Sequence, residues 1–125
     1  MLANRNAMAT IAVRDIDAAH KFYGGTLGLQ PLESSEEGVL SYQSGGATVI
    51  VYVSSHAGTN QATSATWSVG DEFDSVMRAL KAKGVVFEHY DLPGLTRQGD
   101  AHVAGSFKGA WFKDPDGNIL HIVNQ

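Results

Sequence analysis

The chain contains no cysteine, which excludes disulfides and thiolate metal sites and leaves a cytoplasmic location as the expectation. It has no basic stripe either. Nine Lys and Arg face thirteen Asp and Glu for a net charge of -4, a balance that argues against nucleic acid as a partner. The longest apolar runs, such as Thr48 to Val53 and Ile119 to Val123, fall far short of the roughly 20 residues of a membrane span. Met1 to Asn6 form no long apolar stretch, so no secretory signal and no membrane partner are expected. The pairs Gly24-Gly25 and Gly45-Gly46 lack the spacing of a nucleotide-binding loop.

What is present is a repeat. Val13-Arg14-Asp15 opens a segment running through Phe22-Tyr23 to Gly28, and Val69-Gly70-Asp71 opens a similar one running through Arg78 to Gly84. Two copies are too few for a solenoid, which needs about three. They point to two similar modules around one core, and 125 residues at 43% hydrophobic content suit one domain of that kind. Residues 1–125 are therefore read as a single domain. Module one covers about 4–54, a Ser-, Gly-, Thr- and Asn-rich connector covers 55–63, and module two covers about 64–125.

Each copy has the chemistry of a strand followed by a helix. Asp15 caps a helix whose inner face is Ile16, Ala19, Phe22 or Tyr23, and Leu27, with Tyr23-Gly24-Gly25 expected to fray it. Asp71 is placed at the cap of the second helix. Phe73, Val76, Met77 and Leu80 share one face there, Lys81 and Lys83 fill the last turn, and Gly84 follows the end. Strands are expected at 9–13, 39–43, 47–53, 66–69, 85–89, 110–113 and 119–123, with a weaker one at 29–33. Ser44-Gly45-Gly46 and Asp114-Pro115-Asp116-Gly117 are turns. Each half thus reads strand, helix, strand, strand, strand, an α+β pattern.

A strand ending in Val-x-Asp, an Asp-capped helix with Phe22-Tyr23, then Leu27-Gly28-Leu29, and late Phe112-Lys113-Asp114-Pro115-Asp116-Gly117-Asn118 before a closing strand resemble the vicinal oxygen chelate superfamily. That group includes glyoxalase I, extradiol dioxygenases, fosfomycin resistance enzymes and bleomycin-binding resistance proteins. The resemblance implies two paired βαβββ modules forming an open, curved barrel whose concave side holds the ligand, and a homodimer. It also implies four metal-ligand positions, which carry over to Met8, Val51, Ser64 and His121. Only His121 is a good donor, where tight binding of a divalent ion needs about three. No metal and no other cofactor are therefore expected.

The expected cavity face combines Met8, Thr10 and Ala12 with Val49, Val51 and Val53, then Ser64, Thr66 and Ser68, then Ile119, His121 and Val123. His121 is the candidate acid/base or hydrogen-bonding group, against a plain reading as a half-buried strand histidine. Trp111 is a candidate for the cavity mouth, with cross-strand packing as the alternative, whereas Trp67 is expected to pack beneath a helix. Residues 91–109 form a long Gly-rich segment, read either as a lid that would bring Arg97 or His102 toward an anionic ligand or as a mobile surface loop or dimer-contact arm. The resulting expectation is a metal-independent, bleomycin resistance-like or glyoxalase-like binder of a small organic molecule. The alternative is a lyase, isomerase or oxygenase, with a rearranged metal site or with metal-free acid/base chemistry at His121.

Overall fold

The computed structural model describes residues 1–33 and 36–125. Strand β1 (Ala9–Val13) leads into α1 (Ile16–His20), whose first turn is capped by the Asp15 carboxylate accepting from the amides of Asp17 and Ala18. The helix does not fray at the glycines. It widens into a π-helix over Lys21–Thr26, marked by the Leu27 amide donating to the Phe22 carbonyl at 2.8 Å, and Gly28 ends it at φ +73°. Strands β2 (Gln30–Leu32), β3 (Val39–Ser44) and β4 (Ala47–Val53) complete a sheet in the order β1-β4-β3-β2, with β1 and β4 parallel.

The second half follows the same plan with an addition. Strand β5 (Thr63–Ser68), a 3-10 turn at Gly70–Glu72 and α2 (Phe73–Ala82) are followed by β6 (Phe87–Glu88). The Asp71 side chain is not the cap of α2, because the short turn moves the helix start beyond it. Strands β7 (Thr96–Gln98) and β8 (Ala101–Ala104) then form a hairpin before β9 (Phe107–Lys113) and β10 (Ile119–Val123). The second sheet runs β5-β10-β9-β8-β7, and β6 pairs with β9 beside β8. Both sheets are open, and β1 meets β5 between them.

Each sheet turns one face toward its helix. Ile11, Val13, Tyr42, Val49 and Val51 pack with Ala19 and Tyr23 in the first half, and Phe87, Phe112, Leu120 and Ile122 pack with Phe73 and Leu80 in the second. Alternation along a strand leaves the next residues on the opposite, concave face. The halves are latched by the turn after β9. There the buried Asp114 accepts from the Tyr23 hydroxyl at 2.7 Å and from the Asn118 side-chain amide at 2.8 Å, while that amide also donates to the Ala12 carbonyl at 2.7 Å. A third tie is the Arg14 amide donating to Asp116 at 3.0 Å.

Candidate functional site

The chemistry gathers on the concave face of the second sheet. His121 pairs with Thr66 of β5 on one side and Trp111 of β9 on the other, so the three side chains point the same way. The Trp111 and His121 rings stack at 4.1 Å with an interplanar angle of 9°. Imidazole Nδ1 of His121 lies 3.4 Å from the Thr66 hydroxyl. The Trp111 indole N–H donates to the Thr63 hydroxyl at 3.1 Å.

Around this stack stand two more rings. His102 meets Trp111 edge-on at 4.8 Å, and Tyr90 meets it edge-on at 5.6 Å. The Tyr90 backbone N–H donates to His102 Nε2 at 3.0 Å, which fixes the proton of the neutral ring on Nδ1. That Nδ1 lies near the Gly109 backbone without completing a hydrogen bond, and the Tyr90 hydroxyl and His121 Nε2 also have no partner among the described residues although all three atoms are buried.

Burial sets the electrostatics. It pushes His121 down to about 4, helped by the neighbouring His102, and it lowers His102 as well. Both rings are therefore uncharged at neutral pH. Burial, with Glu88 nearby, raises the Tyr90 hydroxyl, so it keeps its proton.

Several expected positions lie elsewhere. Val51 pairs with Ile11 and is fully buried in the core beneath α1, because the register β1-to-β4 puts Ile50 and Tyr52, rather than Val49 and Val51, on the face of Thr10. Ser64 falls at an irregularity where the β5-to-β10 register shifts, and Thr63 rather than Ser64 reaches Trp111 as a result. Met8 precedes β1 and is 56% exposed. Thr10 lies instead on the first sheet, beside Ser41, Ile50 and Tyr52 at a shallow cavity of about 540 Å³.

Residues 91–109 are not a structureless lid. His102 and Arg97 are opposed residues of the β7–β8 hairpin, His102 buried in the sheet and Arg97 exposed. The hairpin is held by Asp100, which binds Lys81 at 2.5 Å and His89 at 2.7 Å. Trp67 packs partly buried against the core as expected, its indole N–H donating to Ser44 at 2.8 Å, and with Val76 and Leu80 it lines an apolar cavity of about 220 Å³ on the helix side.

Tyr90, Thr63, Phe107 and Gly109 were missed from the sequence. Continuing the two-residue alternation upstream of Trp111 reaches Gly109 and Phe107, but the glycine reads as a loop signal and ends the expected strand at Ala110. The four metal positions of the resemblance do not converge. Met8 is exposed ahead of the strand, Val51 faces the core and Ser64 sits at the irregularity. Among the described residues no three His, Cys, Asp or Glu side chains are grouped to hold an ion. The donor set does not fit a divalent metal.

Two βαβββ units with a polar cluster on one concave sheet face define an α+β protein of the glyoxalase-like fold. The chain belongs to the Glyoxalase/Bleomycin resistance protein/Dioxygenase superfamily, which it matches over residues 5–122. Its fold is similar to that of the bleomycin resistance determinant encoded on the transposon Tn5, with 18% identity, a TM-score of 0.72 and 98% of each chain covered. It is also similar to the fosfomycin resistance protein FosX from Mesorhizobium loti, with 13% identity, a TM-score of 0.70, and 100% of this chain and 94% of that one covered. A third similar structure is lactoylglutathione lyase from Agrobacterium tumefaciens, with 16% identity, a TM-score of 0.70, and 96% and 92% covered. At these identities the likeness is one of fold. No curated protein matches the sequence.

Proposed function

We propose that this chain binds a small organic molecule on the concave face of its second sheet, without the metal used by related enzymes. The observation that carries the reading is the trio of buried polar atoms, Tyr90 Oη, His102 Nδ1 and His121 Nε2, that no group among the described residues satisfies. Buried polar groups are almost always hydrogen-bonded, and those that are not call for a water or a ligand. Two similar folds belong to proteins named for resistance to bleomycin and fosfomycin, which supports a small organic ligand. His121 is the central contact, with Thr66 and Trp111 holding its ring.

An enzyme using His121 as a general base is the weaker reading. A ring pushed down to about 4 is a poor base at neutral pH, and its hydrogen-bonding neighbour is a hydroxyl, not a carboxylate. Joining His89 to a metal site is opposed by its pairing with Asp100. The test is a thermal-shift screen of small organic molecules with and without chelator, since a ligand of the native state raises the melting temperature. Hits are expected to survive chelation and to weaken in His121→Ala. Hits that vanish with chelator, or are indifferent to His121, would refute the reading.

A further inference from the structure

One aromatic ring comes close to the unsatisfied edge of His121 at Gly109. A Cβ placed on Gly109 would meet His121 Nε2 at 2.7 Å and the Phe107 ring at 3.0 and 3.2 Å. The Phe107 ring edge and His121 Nε2 therefore lie next to the same point, and only a glycine at 109 leaves room for both. Two other sides of His121 are already taken. Trp111 covers one ring face, and Thr66 stands at Nδ1. His121 is 9% exposed, yet Nε2 has no partner. Phe107, by contrast, is only half-buried at the start of β9, where a side chain can swing outward.

The surroundings also restrict what could enter. Tyr90 offers a hydroxyl and His102 a ring N–H, and both are uncharged donors without an acceptor. Of the cations near the site, Lys113 binds Glu88 at 3.3 Å, and Arg97, whose charge reaches His102 across the hairpin, is itself exposed on the outer strand β7 rather than buried in the site. An anion brought to His121 would lose its hydration without gaining a buried positive partner. An uncharged oxygen acceptor on an apolar body would satisfy the donors and lie against the aromatic rings.

We infer that Phe107 is the gate of this site, its ring standing where an uncharged, carbonyl-bearing aromatic or aliphatic ligand is admitted to meet Tyr90 and His121. The inference rests on the proposed binding reading and adds the gate and the ligand class. Its first test is residue-resolved labelling of histidines by diethyl pyrocarbonate with mass spectrometry. In the wild type, His121 should react at least tenfold more slowly than the exposed His56, and Phe107→Ala should speed His121 by tenfold or more without changing His56. Phe107→Leu, which keeps more bulk, should give an intermediate rate if the alanine variant is too unstable to use. Equal His121 rates in wild type and both variants would overturn the gate.

The second test uses acetophenone, with benzoate as its anionic match and ethylbenzene as its acceptor-free match, titrated by calorimetry into the wild type and Phe107→Ala. Acetophenone should bind at least tenfold more tightly than either match, bind more tightly still to Phe107→Ala, and lose about tenfold in Tyr90→Phe, the equivalent of roughly 1.4 kcal/mol. Benzoate binding as tightly as acetophenone would overturn the ligand class while leaving the gate. An open gate in the labelling test, with none of the three probes protecting His121 or binding to either protein, would overturn the assigned ligand class. Failure of the broader binding reading is recognised separately, by a small-molecule screen whose hits ignore His121.

Discussion

At the scale of single residues, burial holds both His121 and Tyr23 neutral through shifts of opposite direction. His121 is held neutral, with its titration pushed from 6.5 to about 4, so the folded state resists a proton that the unfolded chain accepts. The neutral ring's contribution is fully present above pH 6.5 and is lost as pH falls from 6.5 toward 4. Urea unfolding at pH 7, 5.5 and 4.5 should show stability falling across that window, and His121→Gln should flatten the decline. Tyr23 is raised by burial and then by Asp114, to which it donates at 2.7 Å. Tyr23→Phe leaves Asp114 its amide donors and should cost about 1 to 3 kcal/mol in denaturant unfolding at neutral pH.

At the scale of elements, the connector and the turn after β9 meet through a glycine. A Cβ on Gly58 would lie 2.0 Å from the Asp116 carbonyl oxygen, and Gly58 has φ +72°. Gly45 also has positive φ, but nothing lies within 4 Å of its Cβ position. Gly58→Ala should therefore destabilise by several kcal/mol or prevent folding, whereas Gly45→Ala should cost about 1 kcal/mol from the backbone alone. A thermal melt of the two variants side by side checks this, and equal losses would show that the contact with Asp116 is unimportant. The β7–β8 hairpin is the other element with a distinct role, because it carries His102 to Trp111. Asp100→Ala removes its ties to Lys81 and His89, and hydrogen exchange across Thr96 to Ala104 should quicken while β10 stays protected.

At the scale of the whole molecule, the first sheet has a concave face that the described residues leave exposed. Leu32 and Tyr52 are 41% and 38% exposed there, and cross-strand register places them with Ser41, Ile50 and Thr10. Such a face, with the unpaired edges of β2 and β7, is a liability that a second copy would remove. A homodimer is the expected state at micromolar concentration by light scattering, and Tyr52→Asp should shift it toward monomer with little change in circular dichroism. A wild-type monomer at that concentration would refute it.

The sequence by itself determined the repeated strand-helix plan, the Asp15 cap, the turn at Asp114 to Gly117 and the family, since these depend on short-range spacing and side-chain chemistry. It also put His121 and Thr66 on one expected face, because alternation along a strand needs no partner to be read, and left Trp111 between the cavity mouth and cross-strand packing. Register and insertion were beyond it. Whether Val49 and Val51 or Ile50 and Tyr52 share a face with Thr10 is decided by how β4 pairs with β1, and a one-residue slip reverses every side chain. The irregularity at Ser64 exchanged it for Thr63 in the same way. The long glycine-rich segment became a hairpin because β9 offers it an edge; that pairing carries His102, and the separate pairing of β6 with β9 carries Tyr90, to Trp111 beside His121. Those contacts join residues far apart in the chain, and the tertiary structure alone brings them together.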